Sequence, residues 1–172
     1  SGRRPRMLPD PTGRLRFREM TLDDLDEMAA MLGDPRVMAF YPAPLSRAES
    51  ADWIDRMQRR YESHGHGLWL IETRDGDFVG DCGLTWQSAN GARVLEVGYH
   101  VRTAQQGHGY ATEAGQAVLD WARGAGHARL WAGVWDWNVA SRRVLTKLGF
   151  TDSGVEEVDP LHGTTVVMVR RL

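Results

Sequence analysis

The sequence predicts one α/β (α+β) domain on a mixed, mainly antiparallel sheet of six to seven strands. Three observations carry that expectation. Short alternating or apolar runs are interleaved with stretches of helical periodicity. Two hairpin dipeptides, Asp75-Gly76 and Asn90-Gly91, separate three consecutive strand-like runs, which makes an antiparallel meander. The order is strand, two helices, three strands, helix, strand, helix, two strands, with no repeat, low-complexity tract or linker between them.

Taken in order, residues 14–19 alternate around Leu15 and Phe17, as a strand does. Thr21 caps a helix with Asp23 and Asp24 in its first turn, and Gly33 ends it. Leu22, Leu25, Met28, Ala29 and Leu32 supply the helical spacing. Residues 34–40 read as a short helix, after which Pro42 and Pro44 break the chain. Ser46 and Glu49 form a capping box for a second helix with the stripe Trp53, Ile54, Met57 and Tyr61, closed by Gly65 and Gly67. Strands follow at 68–73 and 78–86, then a polar loop at 88–92 and a strand at 93–101. Alternation in the last puts Leu95, Val97, Tyr99 and Val101 on one face, and Glu96, Gly98 and His100 on the other. Ala111, Ala114, Val118, Trp121, Ala122 and Ala125 make a helical stripe stopped by Gly126. Residues 129–134 read as a buried apolar strand, and Asn138 caps a helix over 139–148. Residues 150–158 and 164–172 read as a closing hairpin.

Bulk properties remove several function classes. The chain has 172 residues, 42% hydrophobic and 26% charged, enough for a domain with a real core. A net charge of -2 disfavours nucleic acid as the main ligand. Cys82 is the one cysteine, so no internal disulfide forms, and a cytoplasmic protein is the natural reading. It reads as a small buried strand residue rather than a nucleophile. No apolar run approaches membrane-spanning length. Arg3, Arg4 and Arg6 precede no apolar segment, which argues against a secretory signal. Ser1-Gly2 reads as a cloning remnant, and residues 1–12 as a flexible terminal segment. His64 and His66 form an H-x-H beside glycines and read as a solvated loop, so no metal site is expected.

Function is most legible at residues 101–112, VRTAQQGHGYAT. A strand, a glycine turn and a helix start together make an anion site, because the first helical N–H groups lack partners and the macrodipole favours negative charge. Gly107 and Gly109 let a phosphate approach the backbone. No Lys-Ser or Lys-Thr follows the turn, and Thr112 stands where a dinucleotide fingerprint needs its third glycine. A strand-to-helix turn that binds nothing is the bland alternative.

These residues resemble the GCN5-related N-acetyltransferase (GNAT) superfamily. Gln106-x-x-Gly109-x-Ala111 matches its Q/R-x-x-G-x-G/A signature, and GHGYATEA is similar to the ribosomal-protein N-terminal (Rim-type) branch. Asn138-x-x-Ser141 followed by Lys147-Leu148-Gly149-Phe150 matches the family's later motif. The resemblance runs from about Leu15 to Leu172. It implies helices on both faces of the sheet, with acetyl-CoA bound where two central parallel strands, 93–101 and 129–134, splay apart. It places pantetheine along the edge at Val101. The pyrophosphate would lie on the N–H groups of Gln106, Gly107, His108, Gly109, Tyr110 and Ala111. Thr112 is read equally as a hydroxyl contact or a local cap, and Asn138 as a cap whose family counterpart lies near the pantetheine.

Acetyl transfer to an amine needs a base for the amine proton and a proton near the departing thiolate. Many family members carry a Tyr further along the Asn138 helix, but Val144-Leu145-Thr146 contains none, so Ser141 becomes the candidate acid. A family glutamate on the preceding strand is replaced by Gly133, which leaves Glu96 as the candidate base and His100 as the second choice. An ion pair or solvent-facing carboxylate is the alternative for Glu96, and packing the alternative for His100. Asp136 is read at the cleft mouth or as a turn residue. Phe40, Tyr41, Trp86, Trp135 and Trp137 are candidate walls of an acceptor pocket. The resemblance implies direct transfer from acetyl-CoA to an amine acceptor, without a membrane partner, by a protein read as a possible homodimer. A non-catalytic acyl-CoA sensor is the competing function, and a nucleotide module is disfavoured by the missing phosphate-loop patterns.

Overall fold

Capping chemistry sets the two N-terminal helices. Thr21 accepts from the Asp23 N–H and forms a reciprocal box with Asp24, starting a 3-10 turn that runs into α1 (Leu25–Leu32). Ser46 and Glu49 form a second box at the start of α2 (Arg47–His64), which ends on Gly65 at φ 78°. The computed structural model describes residues 7–89 and 91–172. The remaining elements are β1 (Leu15–Arg18), β2 (Leu68–Thr73), β3 (Phe78–Ala89), β4 (Ala92–Val101), α3 (Tyr110–Gly124), β5 (Arg129–Trp135), α4 (Val139–Lys147), β6 (Thr151–Asp159) and β7 (Gly163–Arg171). They form one seven-stranded sheet in the order β1-β2-β3-β4-β5-β7-β6, antiparallel except between β4 and β5.

Paired residues share a face of a sheet. Leu70 pairs with Asp81, and Asp81 with His100, so these lie on one face, against which Trp53 of α2 packs 5.6 Å from the His100 ring. Trp69 pairs with Cys82, and Cys82 with Tyr99, on the opposite face, where Trp121 of α3 packs edge-on against Trp69 at 5.1 Å. Helices therefore cover both faces.

Several local expectations change. Residues 34–40 form consecutive turns rather than a helix, because the Asp34 carboxylate accepts from the Arg36 N–H at 2.9 Å and offers the backbone a non-helical partner. The expected loop at 88–92 shrinks, since Ser88 still pairs with Arg93 and Ala89 with Ala92. Its Asn90 lies outside the described residues, and Gly91 has φ 74°. Ala125 is exposed at the end of α3, and β5 alternates between buried and exposed instead of being buried throughout. His66 is not solvated: it is 3% exposed, its Nδ1 lies 2.8 Å from the Leu84 carbonyl, and it packs among Trp86, Trp121 and His127. Among the described residues no cluster suits a metal. The terminal segment is tied down from Met7, whose carbonyl accepts from Trp121 Nε1, to Thr12, whose hydroxyl bonds Glu113. Residues 1–6, including Ser1-Gly2 and the early arginines, lie outside the described residues. No described helix is long and apolar enough to cross a membrane.

Tyr61 joins α2 to the sheet. Its buried hydroxyl donates to the Leu68 carbonyl at 2.5 Å and accepts from the Met20 N–H at 3.3 Å. Tyr61→Phe is expected to cost about 1–3 kcal/mol, a fall in melting temperature of roughly 2–4 °C per kcal/mol. Thermal denaturation checks this, and an unchanged midpoint would show that these bonds add nothing net.

Candidate functional site

The site begins where the sheet stops pairing. β4 and β5 share a single register pair, Glu96 with Trp131. Beyond it, β4 stays bound to β3 through Val101, and β5 to β7 through Trp135. The two arms therefore separate as a wedge, with backbone polar groups of 97–101 turned toward the gap.

At the open end lies the glycine turn. Gly107 and Gly109 have φ of 82° and 78°, a region that side chains other than glycine avoid. The first helical bond of α3 runs from the Glu113 N–H to the Gly109 carbonyl at 3.1 Å. The N–H groups of Tyr110, Ala111 and Thr112 thus lack helical partners, and Gly109 makes no side-chain cap. Thr112 makes no side-chain capping bond among the described residues. A side chain at Gly107 would meet nothing within 4 Å, so the turn is open to a ligand. Gln106 differs from expectation. Its own N–H is engaged with the Thr103 carbonyl at 3.2 Å, while its side chain donates to the Val101 carbonyl at 2.9 Å. Donors open to an anion begin at Gly107, and Gln106 latches the turn to the strand end.

Asn138 caps α4 by accepting from the Ser141 N–H at 3.1 Å. That bond fixes the Ser141 backbone, and its hydroxyl lies 2.6 Å from Tyr99 Oη. Tyr99 projects from the β4 arm and Ser141 from the helix that follows β5, so the two hydroxyls bridge the wedge. Burial pushes the Tyr99 phenol up to about 12, against the pull of the Ser141 bond, so its proton stays in place at neutral pH. Tyr99 was missed in the sequence because its alternation read as core. The helix register points to Ser141, but only the tertiary fold brings a tyrosine to it.

Glu96 lies on the other face, at the fork, half-buried, and its carboxylate makes no hydrogen bond among the described residues. Burial, then the nearby Glu157 carboxylate, raises its pKa to about 7. Gly98 lies on the same face, where the Leu68 side chain stands 3.3 Å from the place a Cβ would take. His100 takes a different place. Its Nδ1 lies 2.8 Å from Asp81 Oδ1 and its Nε2 lies 2.7 Å from Tyr41 Oη, so both ring nitrogens are engaged. Burial alone would lower the His100 pKa, but the Asp81 carboxylate carries it above the ordinary value. Asp81 is fully buried, and its Oδ2 has no partner among the described residues.

Of the expected aromatic walls, four gather here. Trp135 Nε1 donates to the Phe40 carbonyl at 2.7 Å, tying the α1–α2 connection to the end of β5. Phe40 and Trp135 flank Trp137, with ring centroids 5.1 and 6.0 Å away. Tyr41 stands 5.5 Å from the His100 ring. Trp86 lies elsewhere, beneath Arg93 and beside His66. Asp136 is a turn residue, its N–H on the Thr164 carbonyl at 2.8 Å and its own carbonyl accepting from Arg142. Gly133 is exposed, so no side chain fills the β5 position opposite the Glu96 face. Cys82 is fully buried, and burial raises its thiol pKa, which leaves it unreactive.

Comparison with known proteins gives this geometry a context. The family model for acetyltransferase (GNAT) domains matches residues 14–151. The uncharacterized protein YkkB of Bacillus subtilis is 34% identical over 141 residues, covering 80% of this chain and 82% of its own length. An acetyltransferase structure from Agrobacterium tumefaciens superposes with a TM-score of 0.80 at 22% identity, over 99% of this chain and 100% of that one. The structure of yncA from Salmonella typhimurium, solved with its cofactor acetyl-CoA, has a TM-score of 0.68 at 21% identity, over 92% and 94% of the two chains.

The Glu96 environment makes a stability prediction. A carboxyl with a raised folded pKa binds its proton more tightly folded than unfolded. Stability therefore falls as pH rises from the ordinary glutamate value near 4.3 to about 7, and stays lower above that. Glu96→Gln removes this fall. At pH 8 the variant is expected to be more stable than wild type by about 1–3 kcal/mol, and at pH 4 no different. Urea denaturation at both pH values checks it, and equal stability at pH 8 would mean the carboxylate ionises without cost.

Proposed function

The chain belongs to the GNAT acetyltransferase family, and on that premise we propose that it is an acetyl-CoA-dependent N-acetyltransferase acting on a primary amine. The observation that carries the reading is the placement of a near-neutral carboxylate, Glu96, and a hydroxyl pair, Tyr99–Ser141, at the fork of the wedge whose open end holds the α3 N–H groups. The residues suit acetyl-CoA. Gly107 and Gly109 leave room for a diphosphate beside unpaired donors, and the unpaired edge of β4 suits the amides of pantetheine. The Gln106 side chain already occupies the Val101 carbonyl, so that edge contact falls on residues nearer the fork.

When bound, acetyl-CoA supplies an acetyl group activated as a thioester. The chain's residues divide the remaining work. Glu96 accepts a proton from the acceptor's ammonium, directly or through water, because its pKa near 7 balances protonation against proton affinity. Gly133, exposed and without a side chain, leaves the amine room to approach from the β5 arm. On the opposite face, Tyr99 Oη and Ser141 Oγ hold a proton that a departing thiolate would draw on, and the Asn138 cap keeps Ser141 in register. His100 is not the base in this scheme, since Asp81 and Tyr41 take both its nitrogens. It serves to hold Tyr41 and the connection over the acceptor side.

The acceptor is an α-amine or another small amine, a reading supported by the GHGYATEA likeness to the Rim-type branch and by the aromatic residues Phe40, Trp135 and Trp137 gathered at the end of β5. Cytoplasmic residence and a single 1–172 domain belong to the same reading. The competing function, a sensor that binds acyl-CoA without turning over, is less favoured because Glu96 and Tyr99 supply the chemistry that Gly133 and the missing α4 tyrosine left open.

Thiol release from acetyl-CoA across peptides, amino acids, polyamines and aminoglycosides tests the proposal. Turnover is expected on one amine class, with kcat/KM rising with pH and levelling above about 7. Glu96→Gln is expected to lower kcat about 10²–10⁴-fold and to remove that pH dependence, and Tyr99→Phe to lower it roughly 10–10²-fold. Full activity in Glu96→Gln would eliminate it as the base. CoA binding with no turnover on any class would favour the sensor.

A further inference from the structure

Glu113, one turn into α3, presents a difficulty that the cofactor reading does not address. A carboxylate there stands close to any phosphate held at the helix start, and like charges repel. The structure meets it with residues from the other end of the chain. Arg14 donates to Glu113 twice, from its backbone N–H to Oε2 at 3.1 Å and from Nε to Oε1 at 2.8 Å. Thr12 Oγ1 donates to Oε2 at 2.5 Å. Arg74 grips the Thr12 carbonyl through Nε at 2.9 Å, which anchors this strap to the β2–β3 turn. Burial opposes ionisation of Glu113, but the bonds from Thr12 and Arg14 carry its pKa below the ordinary value.

Arg14 also reaches past Glu113. Its Nη2 donates to the His108 carbonyl at 2.9 Å, and its guanidinium lies over the Tyr110 ring, 4.6 Å from the centroid. The chain has no cis peptide among its described residues. In a trans peptide the C=O and the following N–H point in opposite directions. Holding the His108 carbonyl on Arg14 therefore turns the Gly109 N–H away from Arg14. Gly109 is at φ 78°, and glycine takes either sign of φ at little cost, so a bond from Arg14 to this peptide restrains a direction that the residue itself leaves free.

We propose that Arg14 is a positioning residue for the cofactor's pyrophosphate: it aims the Gly109 N–H into the cradle and cancels the Glu113 charge behind it. The inference rests on the acetyl-CoA reading above. It gives the strap at residues 12–14 a functional role that the glycine signature alone does not contain.

Calorimetric titration with CoA, dephospho-CoA and pantetheine tests it without needing the acceptor. Arg14→Ala is expected to weaken CoA and dephospho-CoA equally, about tenfold, as for loss of one charge-assisted hydrogen bond, and to leave pantetheine unchanged. Adding Glu113→Gln to Arg14→Ala is expected to recover part of the loss, because the unpaired carboxylate is then gone. Circular dichroism confirms that each variant is folded. If Arg14→Ala does not fold, Arg14→Lys carries the test, with a loss of about threefold for keeping the charge but not the two-sided grip. CoA affinity within twofold of wild type in Arg14→Ala would overturn the inference. So would a loss confined to CoA, which would place Arg14 on the 3′-phosphate, or an equal loss for pantetheine, which would mark a general loss of shape. Wild type that fails to bind CoA would overturn the cofactor reading, and this inference with it.

Discussion

The rest of the structure depends on one interruption in backbone hydrogen bonding. β4 and β5 meet at Glu96 and Trp131 and then part. A parallel pair buried in the middle of a sheet would ordinarily continue, since unpaired backbone groups are costly. Here both arms are held from outside, β4 along its whole length by β3 and β5 along its whole length by β7. The gap is also strutted on both faces. Tyr99 and Ser141 bridge it on the α3 face, and Trp135 reaches the Phe40 carbonyl on the α2 face. The wedge is a built feature of the fold, and it exposes main-chain donors and acceptors that a ligand with amides can satisfy.

The sheet separates the chemistry onto its two faces. On one, Glu96 makes no hydrogen bond among the described residues, and burial raises its pKa to about 7. Four residues along the same strand, His100 is fully partnered by Asp81 and Tyr41 and is sequestered. Two titratable groups on one strand face thus receive opposite treatment, and the one left unsatisfied sits at the fork. On the other face the Tyr99 and Ser141 hydroxyls share a short bond and keep their protons. In the proposed reaction, the carboxylate that takes a proton and the hydroxyl pair that gives one lie on opposite sides of the same gap.

Much of this was legible in the sequence. Thr21, Ser46 and Asn138 announce the helix starts, and Gly107 and Gly109 announce the positive-φ turn before α3, because caps and positive-φ positions depend on local chemistry. Period-two alternation correctly separates Glu96 from Tyr99. What was not legible depends on contacts across the fold. Tyr99 read as a core residue because alternation reports a face and not what lies at its end. His66 read as a loop residue because its partners Leu84, Trp121 and His127 are distant in sequence. Residues 34–40 looked helical because the Asp34 side-chain bond that defeats the helix carries no periodicity. Arg14 and Glu113 lie 99 residues apart, and neither residue alone hints at the other.

The most direct test of the account is backbone amide NMR of the protein titrated with acetyl-CoA. The account requires the largest shifts at Gly107 to Thr112 and along the β4 and β5 arms beyond Glu96 and Trp131, with β1, β2 and β6 little changed. Shifts concentrated elsewhere, or none at saturating ligand, would contradict the claim that the wedge between β4 and β5 is the cofactor site.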